Sequence, residues 1–89
     1  MSYSLSKEYV WKEVGDQVVV LHIETGRYYS LNHPGSLIWK GLMEGLSLDR
    51  IIEQLRSIFD VDKPNAKKDS EEMIRDLLTK EAIINDQPL

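Results

Sequence analysis

A chain of 89 residues supports one domain and leaves no room for a second independent core. Its formal charge of −4, with 15 acidic residues against 11 Lys plus Arg, gives no general attraction to nucleic-acid backbones or anionic lipid. Cysteine is absent, which excludes a disulfide framework, a thiolate nucleophile and a sulfur-ligated zinc, and no apolar run approaches the roughly 18 residues that a membrane span needs.

The first third of the chain carries β signals. Tyr9, Val10 and Trp11 form a short aromatic and β-branched run that stops at the turn signal Gly15-Asp16. Val18, Val19, Val20, Leu21, His22 and Ile23 follow, apolar on both alternating faces, which suits the middle strand of a small sheet covered at least partly on both sides. Thr25-Gly26 is the next turn, where glycine supplies the positive φ of a tight hairpin. A third strand spans 27–31, with Tyr29 and Leu31 on one face and Tyr28 and Ser30 on the other. The pattern predicts a three-stranded antiparallel meander.

The period changes at Asn32-His33-Pro34, and Pro34 fits the first turn of a helix. Leu37, Ile38, Leu42 and Met43 mark one side of that helix, and Gly45 ends it. Ser47 is an N-cap for a second helix whose apolar stripe is Leu48, Ile51, Ile52, Leu55, Ile58 and Phe59. Residues 60–64 read as a polar connection. A third helix covers about 65–80, with Ala66, Met73, Ile74, Leu77 and Leu78 as its apolar face, and Ile83-Ile84 as a short extended tail. The whole is one α+β domain, 1–89 with a core of about 8–84: a three-stranded antiparallel N-terminal sheet followed by three helices, the shape of a winged helix-turn-helix.

Catalytic signals are weak. His22 lies inside a strand and His33 beside a helix start, with no ligand spacing to each other or to carboxylates. Asp69, Glu72 and Asp76 recur on one side of the third helix without a nucleophile, phosphate loop or metal partner nearby, so they read as a solvated face or a peptide-contacting surface. The expectation is a protein that is not an enzyme, with no cofactor and no metal. DNA binding fails on charge. Arg50 and Arg56 on the second helix stand against Asp49, Glu53 and Asp60, and the third helix mixes Lys67, Lys68, Arg75 and Lys80 with Asp69, Glu71, Glu72, Asp76 and Glu81. The third strand needs an explanation. In the predicted meander it is an edge, and soluble proteins blunt such edges with Lys, Pro or a bulge. Here Arg27 is the only charge in 27–31. Either Tyr29 and Leu31 simply fill the core, or the edge accepts an extended peptide as a fourth strand.

The ordered residues Val20-Leu21-His22, Thr25-Gly26-Arg27-Tyr28-Tyr29, Leu31-Asn32, Ile38-Trp39 and Gly45, followed by Ala66, Asp69, Met73-Ile74 and Leu77, resemble the PqqD-like family. That family includes precursor-recognition elements of ribosomally made, modified peptides (RiPPs). The wording around His22 to Asn32 is closer to the stand-alone recognition proteins of lasso-peptide clusters than to the pyrroloquinoline-quinone chaperone. The chain departs from the family pattern at His33-Pro34-Gly35-Ser36 and at Ala82. The resemblance implies a leader peptide gripped as an antiparallel strand along Arg27, Tyr28, Tyr29, Ser30 and Leu31. Asp69, Met73, Asp76 and Leu77 would then face its side chains. It also implies a separate leader peptidase and cyclase as partners, with no nucleic acid or membrane involved, and a cytoplasmic location. The alternatives are a peptide chaperone of pyrroloquinoline-quinone biosynthesis and a winged-helix DNA-binding regulator.

Overall fold

The computed structural model describes residues 3–85. In chain order the elements are β1 (Tyr3–Leu5), β2 (Tyr9–Val14), β3 (Gln17–His22), β4 (Tyr28–Ser30), α1 (His33–Met43), α2 (Leu48–Phe59), α3 (Lys63–Thr79) and β5 (Ile83–Asn85). Strands β2, β3 and β4 form the expected antiparallel meander in that spatial order. Gly15, at φ 62°, opens the β2–β3 turn, and Gly26, at φ 73°, lies towards the end of the β3–β4 turn. His22 closes the second turn through its Nδ1, 2.8 Å from the Thr25 hydroxyl.

Two features depart from the sequence expectation. Tyr3–Leu5 pairs antiparallel with Ile83–Asn85, so the chain's two ends make a second, two-stranded sheet and the tail is a strand. The third helix begins at Lys63, inside the stretch read as a polar connection. Asp62 is its N-cap, accepting from the Asn65 N–H at 2.9 Å, and Pro64 lies in the first turn, where its missing donor costs nothing. α1 and α2 start on the same logic, with Asn32 accepting from Gly35 and Ser47 from Arg50. Gly45 at φ 77° follows α1 and ends it as expected.

The meander packs its inner face on α1. Val18, Val20 and Trp39 are essentially fully buried, and Trp11 meets Trp39 edge to face at 6.1 Å. Ile51, Ile52 and Leu55 of α2 and Ala66, Ile74 and Leu77 of α3 complete one core. Ile58, on the margin of the α2 stripe in its last turn, is left exposed instead of packed. Among the described residues no helix is long and apolar enough to cross a membrane.

The α1–α2 contact depends on Gly41. A Cβ there would lie 2.7 Å from Cγ1 of Ile51, a side chain with no exposure and no room to retreat. Gly41→Ala is therefore expected to lower stability, because overpacking at about 1–3 kcal/mol exceeds the gain of about 1 kcal/mol in helix propensity. Thermal unfolding checks this, with a fall of several degrees expected.

Candidate functional site

The meander has two edges, and they differ. On β2 the residues whose amides face away from β3 include Trp11 and Glu13, since Ile23 N–H bonds Glu8 C=O and the bonds alternate from there. Glu13 puts a carboxylate on that edge, paired with Lys40 of α1 at 2.7 Å, and Lys12 adds a second charge beside it. This edge is guarded against an added strand.

β4 lacks such a guard. Its register pairs Val19 with Ser30, Val20 with Tyr29 and Leu21 with Tyr28. His22 N–H donates to Arg27 C=O at 2.8 Å at one end, and Leu31 N–H donates to Val18 C=O at 2.9 Å at the other. Alternation between these fixed points makes Tyr29 the residue that exchanges both bonds with Val20. It turns the N–H and C=O groups of Tyr28 and Ser30 outward. The five residues expected along the peptide are thus divided: Arg27, Tyr29 and Leu31 hold the strand in its own sheet, while Tyr28 and Ser30 present the open backbone.

Two contacts fix α3 beside this edge. Lys80 Nζ lies 4.8 Å over the ring of Tyr29. A Cβ at Gly35 would touch both Leu31 Cβ (3.6 Å) and Met73 Sδ (3.7 Å), so α1's first turn passes beneath those two side chains. Asp69, Met73, Asp76 and Lys80 recur along one flank of α3, while Ser70, Ile74 and Leu77 turn into the core. The result is a shallow groove with β4's edge on one side and this flank on the other. Tyr29, Leu31 and Met73 are half-buried in it, with Leu77 buried behind. Sequence reasoning placed Asp69, Met73, Asp76 and Leu77 on this helix. It did not find Gly35, whose missing side chain keeps the floor low, or the place of Lys80 over the Tyr29 ring.

The electrostatics separate the two aspartates. Asp76 is bound to Lys80 at 2.6 Å, which holds the ammonium over Tyr29. Asp69 has no ion pair among the described residues, and it borders a depression walled by Pro34, Ile38, Phe59 and Val61. Asp76→Ala is expected to change stability by less than about 0.5 kcal/mol, as for other exposed i,i+4 pairs. Asp69→Ala is expected to weaken binding of a peptide that sets a cation or N–H donor opposite it, read by calorimetric titration. Tyr9 closes the groove's end from below. Its hydroxyl donates to Lys80 C=O at 2.9 Å, and burial, with Tyr29 and Glu8 nearby, raises its pKa above 10.0. The histidines serve packing: His22 meets Tyr9 and His33 meets Phe59, each edge to face at 4.8 Å.

With this geometry in hand, comparisons with known proteins agree. The sequence profile of the family described as coenzyme PQQ synthesis protein D (PqqD) matches residues 17–83. Among solved structures, TbiB1 in complex with the TbiA(beta) leader peptide is 32% identical, with a TM-score of 0.83 over 96% of this chain and 99% of that one. A lasso peptide synthetase B1 complexed with its leader peptide is 22% identical, covers 96% and 100% of the two chains and has a TM-score of 0.86, a likeness of fold. No curated protein sequence matches the chain significantly.

Proposed function

The chain belongs to the PqqD family, and on that premise we propose that it captures the leader segment of a ribosomally synthesised precursor by adding it as a strand to β4. One observation carries this reading: the outward N–H and C=O groups of Tyr28 and Ser30 lie on an unguarded edge beside the flank of α3 that carries Asp69, Met73 and Asp76. The leader runs antiparallel to β4 and bonds to Tyr28 and Ser30. Its alternate side chains enter the groove over Leu31, Met73 and Leu77, with Asp69 at the rim. Support comes from TbiB1, a protein of nearly the same length and fold that was solved with a leader peptide bound.

In this reading the chain performs no chemistry. It holds the precursor in the cytoplasm at high local concentration for a separate leader peptidase and a ring-closing cyclase of lasso-peptide biosynthesis. The direct test is titration with the leader peptide of the precursor encoded beside its gene. Saturable binding in the micromolar range or tighter is expected. Absence of binding, together with salt-dependent retention on duplex DNA, would replace this reading with that of a winged-helix regulator.

A further inference from the structure

The two walls of the groove scarcely touch each other. α3 packs on α2, α1 and β5, and among the described residues no strand of the meander packs broadly against it. Its distance from β4 is therefore set at the two ends of the groove. Where β4 runs into α1, Gly35 lies between Leu31 and Met73, so α1's first turn is the spacer. Where β4 begins, the spacer is Tyr9. Its hydroxyl donates to the Lys80 carbonyl at 2.9 Å, across 71 positions of sequence. Its ring meets His22 edge to face at 4.8 Å, and His22 is its partner in the β2–β3 register. His22 N–H in turn donates to Arg27 C=O at 2.8 Å, immediately before β4. One side chain thus runs from the root of β4 to the last turn of α3.

Both attachments of Tyr9 are firm. Its own N–H donates to Ser6 C=O at 3.2 Å, and Ser6 N–H donates to Ala82 C=O at 3.0 Å, so the turn that delivers Tyr9 is tied to the segment after α3. The far attachment is a helix end. Glu81 takes φ 59°, its N–H donates to Leu78 C=O, and Ala82 N–H donates to Leu77 C=O at 2.9 Å. That closure satisfies two of the last carbonyls of α3 and leaves the Lys80 carbonyl to an outside donor, which is Tyr9. Tyr9 is 5% exposed, whereas Lys80 is exposed and lays its ammonium over Tyr29. A bare ring would fill the same space under the sheet. The hydroxyl adds the bond to α3.

We infer that Tyr9 is a positioning residue for leader capture: its hydroxyl, bonded to the Lys80 carbonyl, sets how far the end of α3 stands from the start of β4, and so the width of the groove where the leader leaves it. The direction follows from the ladder. A strand antiparallel to β4 passes Ser30 first and Tyr28 last, so its C-terminal side lies over this end. Without the bond, the Lys80 ammonium over Tyr29 is left to hold that end, and an exposed cation on a ring is a weak tie.

This role presupposes the proposed capture of a leader, and the test keeps the two apart. Tyr9→Phe retains the ring and its packing on His22 and removes the hydroxyl. Three quantities are measured on wild type and variant. They are room-temperature affinity for a fluorescent peptide of the leader encoded beside the gene, the unfolding temperature, and the NMR shift of the Lys80 methylene next to its nitrogen, which the Tyr29 ring moves upfield. Expected are affinity reduced about fivefold or more and an unfolding temperature lowered by a few degrees, with the variant still folded during titration. The Lys80 signal is expected to relax towards its ordinary position. Affinity within about twofold of wild type, or a Lys80 signal in its wild-type place, would overturn the inference. So would a loss of affinity matched by the unfolded fraction at room temperature, which would make Tyr9 a core residue and no more. Failure of the wild-type chain to bind the leader at all would instead remove the capture reading, and this role with it, and is seen in the first measurement alone.

Discussion

Replacing Ser30 with proline is expected to weaken leader binding sharply while leaving the domain folded, and replacing Tyr29 with proline is expected to damage the fold first. The two residues are neighbours on one strand, and the ladder alone separates them. Ser30 faces Val19 in a pair that exchanges no bonds, so its N–H points out of the sheet and Ser30→Pro removes nothing the chain uses internally. The pyrrolidine ring then fills the position an incoming carbonyl needs, and the residue before it, Tyr29, is already extended as proline requires. A lost ladder bond plus an unpaired carbonyl on the peptide weakens binding by about tenfold or more. Tyr29→Pro instead removes the donor to Val20, a buried strand residue at the centre of the sheet, and leaves its carbonyl unpaired at about 1–3 kcal/mol. For a domain of this size that lowers the unfolding temperature by on the order of 10 °C. Calorimetric titration and thermal unfolding of both variants check the contrast. Wild-type leader affinity in Ser30→Pro would exclude strand addition at this edge.

That contrast also shows what was legible in the sequence. The existence of β4, its place at an edge and its lack of guarding charge follow from Arg27, Tyr28, Tyr29, Ser30 and Leu31 and from the apolar run before them. Which of the five offer their amides does not follow, because it depends on the length and closure of the Thr25-Gly26 turn. One residue more or less there would exchange the inward and outward sets. The acidic row of α3 was visible as a spacing, and so was the i,i+4 separation of Asp76 and Lys80, but the seat of that ammonium over Tyr29 was not, because Tyr29 comes from a distant strand. The β1–β5 pair was hidden for another reason. Tyr3, Ser4 and Leu5 are too few to show a period, and their partners Ile83, Ile84 and Asn85 stand at the opposite end of the chain. α3's start was missed at Asp62, although Pro64 carries the same first-turn chemistry that located α1 at Pro34.

Ser36 joins the peptide-binding edge to the helices, and removing its hydroxyl is expected to have the second large effect. Its oxygen accepts from Val18 N–H at 2.7 Å and donates to Leu31 C=O at 3.2 Å. Those two groups would bond each other if the β3–β4 ladder continued, since Val18 C=O already accepts from Leu31 N–H. The serine is therefore inserted into the last rung. It parts the strand ends, ties both to the first turn of α1 and lets Leu31 lean over Gly35 towards Met73. Ser36 is 1% exposed and Val18 has no exposure, so Ser36→Ala leaves a buried donor unpaired. The cost is about 1–3 kcal/mol, a drop of roughly 10 °C in unfolding temperature. The alternative open to the variant is to close the rung directly, which recovers part of that energy but draws Leu31 away from the groove. In either case the Val18 amide is expected to exchange with solvent faster or to shift strongly by NMR, and leader affinity is expected to fall several-fold. A Ser36→Ala variant that melts like the wild type, with the Val18 amide unchanged, would show that the helix does not set the geometry of the edge.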